Sequence, residues 1–168
     1  MEPGIARSRG HSVARGSNYL LRVGKHVKMP STSTVRSVMP TNKEIVRAAY
    51  DSFASGDVPA VLALMDPNIE WTEAEGWPLY DGTFVGPQAI VDGVFLRLGE
   101  IGDNFSVNLD QLVADGDTVV ALGTYTWNRK DSGEPAEVKM AHVWTLDGGK
   151  LLRFQQHVDT AKERYLLD

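Results

Sequence analysis

With 168 residues, 42% of them apolar and 23% charged, the chain is long enough to bury a core and has a globular rather than a disordered balance. It contains no cysteine, which excludes a disulfide framework, a thiolate nucleophile and a cysteine zinc site. The net charge of −5 is uneven: Arg7, Arg9, Arg15, Arg22, Lys25, Lys28 and Arg36 against Glu2 make residues 1–40 +6, leaving −11 for the rest, a sign that argues against nucleic acid and anionic membranes as partners.

Residues 1–40 are rich in Ser, Gly and Arg and hold no sustained period of 3.6 or 2. Tyr19-Leu20-Leu21 is too short for a signal-peptide core, and no stretch of the chain approaches the ~18 apolar residues of a membrane span. A disordered extension, an upstream start with Met39 or Met29 as the true one, and an Arg-rich transit peptide are all compatible with this composition. A nucleic-acid arm fits less well, because no aromatic residues interleave with the charges. The folded domain is therefore expected over 41–168, in the cytoplasm.

Thr41-Asn42-Lys43-Glu44 is a capping box, and Ile45, Ala48, Ala49 and Phe53 continue at helical spacing until Gly56. Asp57 then caps a short helix with Pro59 in its first turn. Asp66-Pro67-Asn68 reads as a turn, Ile69 to Thr72 as a short strand, and 73–86 as a loop with Trp77, Tyr80 and Phe84 as anchors. Gly86-Pro87 opens a third helix whose buried stripe runs from Ile90 to Leu98.

The period then changes to 2. Four strands are expected, at Phe105–Val113, Thr118–Trp127, Val138–Leu146 and Leu151–Val158, joined by Asp115-Gly116, residues 130–135 and Asp147-Gly148-Gly149. Thr160 to Leu167 reads as a short terminal helix or an ordered tail. Helices before hairpin-linked strands mean an α+β domain, with helices on one face of an antiparallel sheet. Because the strand Thr118–Trp127 is apolar or aromatic on both sides, a second copy is expected to cover its outer face as a homodimer.

Three stretches carry a family resemblance: Val113-Ala114-Asp115-Gly116-Asp117-Thr118-Val119-Val120, Ala141-His142-Val143-Trp144-Thr145-Leu146 with the following Asp147-Gly148-Gly149-Lys150, and Arg153-Phe154 to Val158-Asp159-Thr160. Together with Gly82-Thr83-Phe84-Val85-Gly86-Pro87-Gln88-Ala89-Ile90 they resemble the SnoaL-like polyketide cyclase family. That family lies in the nuclear transport factor 2-like superfamily with the ketosteroid isomerases, limonene-epoxide hydrolases and scytalone dehydratase. The resemblance covers 41–168 and implies a cone-shaped α+β barrel, three N-terminal helices packed on a curved, mostly antiparallel sheet around a small-molecule pocket. The superfamily runs several chemistries on one scaffold, so the reaction has to be argued from side chains.

Met140, His142 and Trp144 share one face of their strand, and Gln155, His157 and Asp159 share one face of the next. If both faces are the concave one, Asp159 and His142 meet in the pocket, a carboxylate to take a proton beside a carbonyl and an imidazole to orient it. The resemblance implies the same pair, an Asp ending the last strand as acid/base with a strand His nearby. Against this, an Asp before Thr160 also suits a helix cap, and a His between Met and Trp also suits a core.

Tyr50, Trp71, Trp77, Tyr80, Trp127 and Trp144 are candidate apolar walls for a small organic ligand, with His157 as a candidate donor. Glu73 is the carboxylate that could substitute for the strand Asp of the ketosteroid isomerases, whose place is taken here by Trp71. Gly123-Thr124-Tyr125-Thr126 lacks the Arg and Asp of the epoxide hydrolases. The scattered histidines suggest no metal site, and no phosphate loop or nucleophile elbow is present. The expectation is thus a cofactor-free acid/base enzyme of isomerase, cyclase or dehydratase type on a small apolar carbonyl or polyketide-like compound. A non-catalytic binding module and a protein-interaction domain are the alternatives.

Overall fold

A computed structural model describes residues 39–167, so the expectations for the basic extension fall outside the described residues except at Met39 and Pro40. Helix α1 (Asn42–Ala54) opens on the anticipated capping box: Glu44 N–H donates to Thr41 Oγ1 at 3.3 Å, and Thr41 N–H donates to Glu44 Oε2 at 2.7 Å. In α2 (Val58–Ala63) the Asp57 carboxylate accepts from Ala60 N–H at 3.0 Å. Both helices bury small aliphatic side chains, Ile45, Val46, Ala49 and Val61, which join one core with the sheet.

The sheet has six strands rather than the expected short strand plus four, ordered β2-β1-β6-β5-β4-β3, and it stays open with β2 and β3 as edges instead of closing into a barrel. Strand β1 (Met65–Thr72) starts four residues earlier than the turn signal Asp66-Pro67-Asn68 suggested. Its pairing with β6 (Lys150–Val158) is parallel and jumps from Met65↔Leu151 to Glu70↔Arg153, so those turn residues sit inside an irregularity of the strand. The expected loop contains β2 (Thr83–Val85), which sets Phe84 opposite Trp71. Three residues are too few to show alternation, and pairing with β1 is what makes them a strand. Helix α3 (Pro87–Gly93) and a 3-10 turn (Phe95–Glu100) follow, so the third helix comes after two strands.

Strands β3 (Asp103–Asp115), β4 (Thr118–Asn128) and β5 (Pro135–Asp147) form antiparallel hairpins with one another and with β6. Two irregularities decide which residues face inward. On β3 the partners step from Leu109↔Gly123 to Gln111↔Leu122, leaving Asp110 as an extra residue. On β6 they step from Leu146↔Leu151 to Thr145↔Arg153, leaving Leu152 extra. Leu151 is therefore buried, and so are Phe154 and Gln156, whereas Arg153, Gln155 and His157 are exposed. Gly123 sits at the first irregularity because a Cβ there would overlap the Asn108 carbonyl oxygen.

Helix α4 (Thr160–Leu167) follows β6 and carries Glu163, buried with both carboxylate oxygens unpaired. Burial raises its carboxyl to about 7, against the lowering influence of Arg164. No helix among the described residues is long and apolar enough to cross a membrane.

Candidate functional site

The inner face of the sheet and the helices enclose a cavity whose rows are set by strand register. Trp71, Phe154 and Trp144 lie side by side on β1, β6 and β5, and Gln156 and His142 form the next row. Trp71 stacks on Phe154 with ring centroids 3.7 Å apart, and Trp144 tilts on it at 4.7 Å. Phe53, Phe95 and Leu98 close the helical side, Phe105, Val107 and Tyr125 the far side. The space open to the centre of a water-sized sphere is ≈ 60 Å³. One water needs about 10–15 Å³ on that measure, so a small organic group enters without wall movement and a larger one requires it.

Into this apolar space projects Glu73. The alternation of β1 continues one step past its end, so Ile69, Trp71 and Glu73 are buried while Glu70 turns outward to Arg153 at 2.9 Å. Glu73 is 2% exposed. Its Oε1 accepts from the Trp71 indole N–H at 2.6 Å, and its Oε2 has no partner. Burial raises the carboxyl to about 7, against the lowering influence of the Trp71 indole and the Gln156 amide. Glu75, two residues on, is exposed.

Beside Glu73 runs a chain of polar contacts. Ala74 N–H donates to Gln156 Oε1 at 3.0 Å, which orients the amide so that Gln156 Nε2 donates to the Tyr125 hydroxyl at 3.0 Å. Tyr125 Oη is bonded to His142 Nε2, His142 Nδ1 to Tyr50 Oη at 2.6 Å, and Tyr50 accepts from the Trp144 indole N–H at 3.0 Å. Burial holds the His142 ring down to about 3, with His157 adding to the effect, so the imidazole is neutral at physiological pH. Burial likewise raises both phenols: Tyr50 despite the Trp144 donor, and Tyr125 further through the charge on Glu73. They therefore act as protonated donors, next to a carboxylate poised to accept a proton near neutral pH.

Of the residues singled out from sequence, His142, Glu73, Tyr50, Trp71, Trp77 and Trp144 line the cavity. Asp159 does not join His142. It is exposed, and its carboxylate accepts from Lys162 N–H at 3.0 Å as the cap of α4. The extra residue at Leu152 shifts the inward positions of β6 by one, placing Gln156 opposite His142 and His157 outside. Tyr80 is 40% exposed, and Trp127 is buried away from the cavity, where it lines a separate pocket with Pro135 and Glu137. Sequence reasoning missed Tyr125 and Gln156. Alternation on β4 carried a signal for Tyr125, in step with the buried Val119, Ala121 and Trp127, whereas Gln156 depends on the bulge. Among the described residues no three carboxylates or imidazoles gather as a metal ion requires.

The SnoaL-like domain model matches residues 46–154. An NTF2-like protein from Burkholderia thailandensis E264 is 38% identical, with a TM-score of 0.71, covering 76% of this chain and 98% of its own. An NTF2-like protein of unknown function from Burkholderia pseudomallei K96243 is 30% identical, with a TM-score of 0.67 and coverage of 77% and 98%. TerC, co-crystallised with polyporic acid, is 27% identical, with a TM-score of 0.68 and coverage of 74% and 96%. No curated protein matches the chain.

Proposed function

The chain belongs to the SnoaL-like domain family, and we propose that its cavity abstracts and returns a proton next to a carbonyl group of a small, mostly apolar compound, with Glu73 as the base. The observation that carries this reading is a carboxylate inside an aromatic pocket, raised to about 7, with one oxygen unpaired. In the step, Glu73 Oε2 takes the α-proton, the C–H electron pair moves into the carbon framework, and the carbonyl oxygen becomes an enolate oxygen. A phenol O–H from Tyr50 or Tyr125 donates to that oxygen and is worth more there than in water. Return of the proton from Glu73 to the same or another carbon completes an isomerisation or prepares a ring closure, and no other reactant is consumed. The base is thus Glu73 in place of the expected Asp159.

TerC and its polyporic acid support a small organic ligand as the occupant. Self-association belongs to the same reading: Val113, Val120 and Leu122 present apolar surface on the outer face of the sheet, and a second copy would cover them.

Incubation of the full chain with a panel of small ketones in D2O, followed by NMR, tests the chemistry. Ketones that raise the melting temperature should take up deuterium at the α-carbon, and Glu73→Gln should slow uptake by ~10²-fold or more while preserving the thermal shift. Binding without uptake in the wild type would favour the binding module, a reading supported by how fully the His142 ring is satisfied from within the protein.

A further inference from the structure

The polar chain across the cavity has a proton count that its geometry leaves unequal. The two contacts Tyr50–His142 and His142–Tyr125 each need one hydrogen. A neutral imidazole supplies one and the two phenols supply one each, so three hydrogens serve two bonds. Nor can the spare one be absorbed at the ends. Trp144 Nε1 is only a donor, and Gln156 presents its donor nitrogen to Tyr125 because Ala74 N–H holds its oxygen.

The place of the spare hydrogen follows from the ring. With the proton on Nδ1, the ring donates to Tyr50 and accepts from Tyr125, which leaves the Tyr50 O–H unused. With the proton on Nε2, the ring donates to Tyr125 and accepts from Tyr50, and the Tyr125 O–H is unused. Either oxygen then accepts two hydrogen bonds, and its own hydrogen has only the cavity to point into. Tyr50 lies on α1 and Tyr125 on β4, on different walls of that cavity.

The geometry points to His142 as a tautomeric switch that reserves one phenol O–H of the Tyr50–Tyr125 pair for the ligand. The pocket thus grips a molecule through a single acceptor oxygen and presents the donor from whichever of two walls that oxygen approaches. His142 is a positioning residue in this scheme, since it acts through the phenols. The ligand class that fits is an apolar compound with one carbonyl or enolate oxygen at the buried end. A compound bringing two acceptors, one to each phenol, would leave one of them against a hydroxyl already spent on the ring, which costs the desolvation of that acceptor.

This inference rests on the cavity being a carbonyl site, but its test needs no substrate. In 15N-labelled full-length chain, NMR of the imidazole nitrogens identifies His142 by its absence in His142→Gln. Wild type at pH 7 should show a neutral ring with one protonated nitrogen. In Tyr50→Phe the proton should move to Nε2, facing the remaining phenol, and in Tyr125→Phe to Nδ1, because a buried bare nitrogen is easier to leave unpaired than a buried N–H. Opposite tautomers in the two variants support the switch. The same tautomer in both, or a doubly protonated ring in wild type at pH 7, overturns it, and the wild-type measurement stands even if a variant does not fold. Opposite tautomers in a chain that exchanges no ketone deuterium would sink the proposed chemistry and leave the switch intact.

Discussion

Replacing Glu73 by Gln should change how the stability of this protein responds to pH, and the structure sets both sign and size. Glu73 is raised from an ordinary value of 4.5 to about 7, chiefly by burial. The unfolded chain loses this proton near 4.5 and the folded chain only near 7, so between those values the folded state holds more protons. Stability contributed by the neutral carboxyl is complete below pH 4.5 and is lost as pH rises to about 7 and beyond. At ~1.36 kcal/mol per pH unit, the gap amounts to about 3 kcal/mol. The amide in Glu73→Gln would keep an oxygen for the Trp71 indole and has no charge to bury. Urea unfolding followed by tryptophan fluorescence suits the test, because Trp71, Trp77, Trp127 and Trp144 are all buried. The advantage of Glu73→Gln over wild type should grow by about 3 kcal/mol between pH 4.5 and 8, with the change concentrated below pH 7. Glu163, raised in the same direction, is present in both proteins and cancels in the difference. Parallel stability profiles for the two proteins would refute a buried, neutral-leaning Glu73, and with it the proposed base.

Asp159→Ala should cost about 1 kcal/mol through loss of the α4 cap and leave ketone-induced thermal shifts unchanged, both measurable by calorimetry with and without the ketone. A loss of ligand response in that variant would return Asp159 to the site. Gly123→Ala should destabilise the domain by about 1–3 kcal/mol in urea titration, since its methyl group meets the Asn108 carbonyl and the Met140 side chain. An unchanged urea midpoint there would mean that β3 gives way without strain.

Short-range chemistry was legible in the sequence. The Thr41–Glu44 box started α1, and Asp57 capped α2 where expected. Asp115-Gly116 and Asp147-Gly148-Gly149 made hairpins in which Gly116, Gly148 and Gly149 adopt φ of 54°, 53° and 80°. Alternation placed Met140, His142 and Trp144 together on the inner face of β5, because a side chain and its neighbour two residues on share a face wherever a strand is regular. What lay beyond the sequence was the parity of β6. One extra residue, Leu152, exchanges the inner and outer sets beyond it, turning Gln156 inward and sending His157 to the surface, and nothing in the sequence near Leu152 marks a bulge. The fate of Glu73 was also tertiary. The sequence offered Glu73 as a candidate carboxylate without placing it, and only the aromatic walls contributed by β4, β5 and β6, with the Trp71 indole as donor, make the inside of the cavity its place.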